Sequence, residues 1–418
     1  MGIAVPAGLG WDFANFYDAG RRVAAGHAAD LYDPKSPIAG QPPQGSTGFF
    51  GAPLSAVFYV PLAWFDPPTA LVLFKIQNVV AYAVTFFVLF RFSLVFVSGG
   101  PLERSRFAAR FALFCLLFQP FWTVFRVGGQ TTPTALVLLA FGLVLHTRGR
   151  FWGSSIVVVL ATLIKPALAP ALLLLAAVSG VAFAWRLAAT LAVTGVLSLA
   201  LTGWPAHAAF LDLMRRSSGF AYPWNFNSSI HTVLVSLRQY AGPAAPAEVR
   251  QALSIASWMV KGVVIIGTLW LLHRGRRETW PAPARRHFYF VLAIVFFLLW
   301  SPTVWEHYLS LLVVPLTYVI AAHAYFSRRA LAIVAAILVT SVAQNLILIN
   351  WVREHVEFDS LPVLVAAAIV KSAPLLLTMV LLTRHRDELF RSYFAPAWTS
   401  FGAAGPSGKS QVPAVVRP

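Results

Sequence analysis

The sequence has 418 residues, of which 58% are hydrophobic and 11% charged, with a mean hydropathy of +0.71. Soluble domains carry about 25% charged and about 45–50% apolar residues, so an ordinary soluble domain is excluded and an all-α polytopic membrane protein is expected. A net charge of +17 points to nucleic acid in a soluble chain. Here the basic residues gather in short turns between apolar runs, so membrane lipids are the expected partner and nucleic acid is not.

The first unit, residues 1–69, opens on "WDFANFYDAGRRVAAGHAADLYDP", which holds four of the 15 acidic residues: Asp12, Asp18, Asp30 and Asp33. Phe13, Phe16 and Tyr17 follow Asp12 at helical spacing and predict a helix from Asp12 to near Gly26. It is expected on the membrane surface with that stripe facing the lipid. Asp12 reads either as an N-cap, with Asp18 pairing to Arg22, or as a general base whose partial desolvation brings it toward neutrality. "TGFFGAPLSAVFYVPLAWF" follows as a re-entrant candidate.

Apolar runs then fall at 70–90, 107–125, 133–147, 151–164, 167–184, 186–203, 254–273, 287–301, 307–326, 330–350 and 362–383. They predict a bundle of about 11 spans, several shorter than the roughly 20 residues of a full crossing. The runs divide into a first transmembrane bundle (70–203), an outer-face loop (204–253), a second bundle (254–385) and a disordered tail (386–418). If the turn at 91–110 is cytoplasmic, 19 of the 32 basic residues fall on the cytoplasmic side and the tail ends inside. Residues 1–69 then lie outside with no signal-like segment before Trp11, which implies either a further upstream helix, the favoured expectation, or an inverted topology. Cys115 is the sole cysteine.

Four further polar segments share the outer side in this scheme. In "FRVGGQTTPT", Gly128 and Gly129 permit tight turns, and Thr131 or Thr132 caps a helix opening at Pro133. Alternatively, its N–H groups meet an anion with help from Arg126 and Gln130. Lys165 in "TLIKPALAP" either snorkels to headgroups or pairs with a lipid phosphate. "WNFNSSIHTV" either caps a surface helix or offers Asn225 or Asn227 to sugar hydroxyls. In "WSPTVWEHY", Trp300, Trp305 and Tyr308 fit an aromatic belt, whereas Glu306 and His307 suggest a wet cavity. Independent caps and snorkels would scatter over both faces; one shared outer site explains the clustering better. A transporter or flippase remains the alternative class, although no internal repeat is evident. A ligase or polymerase of surface glycans would share the same lipid-phosphate chemistry.

The ordered series "DFANFYDAG…LYDP", "FYVPLAWF", "FRVGGQTTPT", "LIKPALAP", "NFNSSI" and "WSPTVWEHY" resembles the polytopic GT-C glycosyltransferases of glycosyltransferase family 87. These are similar to polyprenol-phosphate-mannose-dependent mannosyltransferases. The resemblance implies a GT-C-like helical bundle in the cell (inner) membrane, its active site on the extracytoplasmic face. It implies a polyprenyl-phosphate sugar donor, a lipid or glycan acceptor, and no cofactor or metal. Asp12 matches the family's base. Lys165, Arg126, His307 and Gln130 are the expected donor-phosphate group, and Asp18, Tyr17, Asn227, Trp305 and Glu306 the expected acceptor or sugar contacts. Family members carry a transmembrane helix before the acidic loop, where this sequence has only eleven residues before Asp12.

Overall fold

The computed structural model describes residues 11–33, 48–97, 100–126, 129–217, 227–242, 245–277, 280–321, 327–342, 346–356 and 360–384. These are helical apart from short connections and one isolated antiparallel bridge, Asn227 to Trp305. The tail 386–418, Gly128 and the stretch 218–226 with Asn225 lie outside the described residues.

Helix α1 (Trp11–Ala24) is followed by the short α2 (Pro53–Val57) and a 3-10 turn at Val60–Trp64. Its aromatic stripe does not face lipid. Phe13 packs on Phe74 and Phe16 on Tyr59, with ring centroids 5.4 and 5.1 Å apart, and Phe13 and Tyr17 are buried. The expectation of a lipid-facing stripe is corrected here, because aromatic rings from three other segments bury it more completely than a headgroup boundary would.

Five helices among the described residues are long and apolar enough to cross a bilayer: Pro67–Phe96, Val181–Arg216, Ala247–Arg277, Ala282–Trp300 and Leu361–Arg384. A sixth candidate is a pair, α4 (Pro101–Leu117) and α5 (Gln119–Arg126), bent by 50°. The count of about 11 spans is therefore not reached by length. The remaining apolar runs form α6 (Thr132–Thr147), α7 (Phe151–Ile164), α8 (Ala169–Val178), a 3-10 turn at Glu306–Leu312 leading into α13 (Val313–Ala321), and α14 (Arg328–Ser341) with α15 (Leu346–His355). The long helices are α3 (Pro67–Ser93, extended by a 3-10 turn), α9 (Val181–Ser217), α11 (Ala247–Arg277), α12 (Ala282–Trp300) and α16 (Leu361–Arg384); α10 spans Thr232–Ala241.

Much of 204–253, read as an outer loop, is helical. Helix α9 continues beyond the expected boundary through a kink at Gly203, whose φ of 73° suits glycine, with Pro205 opening the next segment. Helix α12 lies at the centre, with Phe288, Phe290, Phe297 and Leu298 at most 1% exposed. By contrast, α9 and α11 present apolar side chains outward, as a lipid-facing helix does.

The short helices have a shared consequence. Lys165 follows Arg150 along α7, Trp300 follows Arg286 along α12, Lys261 precedes Arg274 on α11 and Lys371 precedes Arg384 on α16. At 1.5 Å rise per residue each lies about 20–23 Å from its arginine; with those arginines at one membrane boundary, this is about two-thirds of a hydrocarbon core of about 30 Å. Polar chain breaks at this depth are tolerated where protein or a wet cavity covers them.

Candidate active site

The site is assembled from α1, the turn before α6, the turn after α7 and the segment after α12. Asp12 lies in the first turn of α1, and Gln130 Nε2 donates to its Oδ2 across 118 residues of sequence. Gln130 is held in turn by α3: Asn78 Nδ2 donates to its carbonyl at 3.0 Å, and Gln77 reaches Thr134 Oγ1 at 3.3 Å. Thr131 occupies the N-cap of α6 and Pro133 its first turn, although the Thr131 hydroxyl makes no capping bond.

Gly129 lets this turn approach α1. Its φ is +88°, and a Cβ there would come within 2.9 Å of Phe13 Cβ. Gly129→Ala is expected to lower stability by about 1–2 kcal/mol from the backbone conformation alone, and to lower turnover by moving Gln130 away from Asp12. Thermal unfolding and turnover of the purified variant check this; an unchanged melting point and rate would count against the close approach.

Lys165 ends α7 in a turn, buried, with Nζ 4.5 Å from the centre of the Tyr308 ring. Its charge acts on both Asp12 and His307. Burial raises the Asp12 carboxyl from 3.8 to about 6, opposed by the Lys165 cation and the Gln130 hydrogen bond. Burial likewise lowers Lys165 from 10.5 to about 7, opposed by Asp12. Carboxylate and amine thus both titrate near neutrality, where acid–base groups are most effective.

His307 stands on the 3-10 turn, its ring 4.8 Å from that of Tyr308 and parallel to that of Trp305 at 6.5 Å. It is buried, and its Nε2 has no hydrogen-bond partner among the described residues. A buried ring nitrogen left open in this way is suited to a bound ligand.

The other expected contacts are engaged by the protein itself. Asp18 pairs with Arg22 at 2.9 Å, and the Tyr17 hydroxyl donates to the Phe65 carbonyl at 2.7 Å. Asn227 is fully buried: its Oδ1 accepts from the backbone N–H of Ser229 and Val304, both at 2.9 Å, and its Nδ2 donates to Pro302 O at 2.9 Å. With Ser228 N–H on Val304 O and Ser229 Oγ on Ser301 O, this latch holds the unwound segment after α12. Glu306 is paired with Lys371 at 2.8 Å, while Trp305 is half-buried beside His307. Arg126 ends α5, and its side chain lies outside the described residues. Asn78 and Lys371 were not singled out from the sequence as site residues. The signal for Asn78 was "FKIQNVVAY", three polar residues within one apolar run.

Several apolar helices surrounding a buried carboxylate, amine and imidazole at helix breaks are the arrangement of a membrane protein. The model of glycosyltransferase family 87 matches residues 49–302, more than half the chain, and the chain belongs to that family. No curated protein matches the chain. Gln130, Lys165 and Asn227 lie inside the matched span; Asp12 and His307 flank it.

Proposed function

We propose that this glycosyltransferase is of the GT-C type and moves a hexose, mannose in our reading, from a polyprenyl-phosphate sugar to a lipid or glycan acceptor. Asp12 takes the proton of the acceptor hydroxyl. The acceptor oxygen bonds to the anomeric carbon while the carbon–oxygen bond to phosphate breaks, its electron pair leaving with the phosphate, so configuration inverts. Lys165 and His307 receive the departing phosphate as preplaced donors, with Arg126 a further cation. Gln130, expected among the phosphate ligands, fixes the orientation of Asp12 in this scheme. The site faces the extracytoplasmic side of the cell membrane and the C-terminus the cytoplasm.

The observation that carries this reading is the Asp12–Lys165 pair, a base and a cation held apart in sequence and together in space, each displaced toward neutral pH. The test is transfer by the purified chain from polyprenyl-phosphate mannose, followed across pH. kcat/KM is expected to rise as Asp12 ionises near pH 6 and to fall as Lys165 loses its proton near pH 7. In kcat the falling limb is expected to move to higher pH, because a bound phosphate holds the Lys165 proton. A flat profile, or no release of polyprenyl phosphate, would remove this assignment.

A further inference from the structure

Lys261 and Lys371 each lie 13 residues, about 20 Å, before the arginine near the end of their apolar helices, and differ in what they meet. Lys371 is buried and neutralised by Glu306. Lys261 has no acidic partner among the described residues. Its ammonium instead lies against two indoles, 4.7 Å from the ring centre of Trp258 and 5.5 Å from that of Trp300. Trp258, Met259, Val263 and Ile266 around it are exposed on the lipid-facing side of α11, while Trp300 is the last residue of α12, where the latched segment to His307 begins. Lys261 therefore stands between the outward-facing side of α11 and the start of that segment.

An ammonium within the hydrocarbon is costly and is characteristically paired or functional. Snorkelling is a weak explanation at this position. With Arg274 at one boundary, about 10 Å of hydrocarbon separates Lys261 from the far boundary, and its ammonium lies against the two indoles rather than extended along the helix toward that boundary. Indole faces attract the cation but do not neutralise it, and their N–H groups remain donors. An ammonium flanked by indole donors and open to lipid lacks one thing, an anion arriving from the membrane.

We infer that Lys261, Trp258 and Trp300 form a lipid-phosphate binding site on the lipid-facing side of α11, beside the start of the latched segment that carries His307. A phosphate carried on an aliphatic chain fits: its oxygens meet the ammonium and indole N–H groups, and its tail lies along the apolar outer face of α11. The inference concerns binding and stands apart from the transfer chemistry, so it survives if Asp12 proves not to be the base.

Native mass spectrometry of the full chain in detergent tests it, with undecaprenyl phosphate, phosphatidylglycerol and inorganic phosphate as separate probes. Lys261→Met is expected to weaken undecaprenyl phosphate binding at least tenfold. It removes a charge from an apolar helix, so it should fold, and an unchanged melting point confirms that. Lys261→Arg, which keeps the charge and stacks on indole, is expected to retain binding. Loss of undecaprenyl phosphate alone identifies a substrate or product lipid; parallel loss of phosphatidylglycerol identifies a general lipid-phosphate site. Unchanged binding of both lipids in Lys261→Met, or an effect on inorganic phosphate equal to that on the lipids, overturns the proposal. Asp12→Asn serves as the independent control and should leave lipid binding intact.

Discussion

Asp12→Asn is expected to lower kcat by about 10²–10⁴-fold, the usual contribution of a positioned general base, while donor affinity stays close to that of the unaltered protein. The substitution is nearly isosteric. An asparagine Oδ1 can still accept the Gln130 hydrogen bond that fixes the side chain, so the local geometry is preserved while proton-accepting capacity is removed. Lys165 and His307 keep their places, because neither is held by a direct bond to Asp12. The effect should therefore appear in kcat and kcat/KM together, the signature of an interaction made in the transition state. The rising limb of the pH profile should vanish as well, since Asp12 is the group raised to about 6 by burial. Turnover within tenfold of the unaltered protein would take Asp12 out of the base role. Retained turnover with weakened donor binding would instead place it at the sugar.

Much of the plan of this molecule is readable from hydropathy. The apolar runs, the Pro and Gly breaks and the polar segments between them fall close to the helices and turns observed. Span number is less legible, because composition shows that a run is apolar but not whether it ends inside the bilayer. Helix α7 has 14 residues and α6 has 16; α6 begins, and α7 ends, where the chain bends into the site. The charge pattern puts Asp12 and Lys165 on one expected face, but neither their approach nor the hydrogen bond from Gln130 to Asp12 is legible in the sequence. Nor could the sequence separate polar side chains open to a ligand from those holding the backbone. Asn227 and His307 both sit in polar breaks; one has its amide bonded to three backbone groups, and the other keeps Nε2 open. That difference depends on residues some 75 positions away, and Lys371, which meets Glu306 across 65, was equally hidden.

The Glu306–Lys371 pair provides the other large effect. Its side chains are 5% and 3% exposed, so removing one partner leaves an uncompensated buried charge. Either Lys371→Met or Glu306→Leu alone is expected to destabilise by about 3–5 kcal/mol. Together they replace the ion pair with apolar volume, and such exchanges are often neutral or stabilising. The double variant should therefore recover most of the loss, giving a coupling energy of several kcal/mol in a double-mutant cycle, read from denaturation in a fixed lipid or detergent environment. The segment should keep its course, because Asn227 and Ser229 still hold Ser301, Pro302 and Val304. Ser372 adds to this by donating to Ser229 O at 2.7 Å. Turnover separates the two roles open to Glu306. If the carboxylate serves to neutralise Lys371 and so to seat His307, the stable double variant should transfer sugar at a rate within about tenfold of the original, since the interaction lost is not with substrate. If Glu306 binds the acceptor, the double variant should be stable and inactive. The first outcome is expected, because the Glu306 Oε1 atom is already bonded to Lys371 at 2.8 Å.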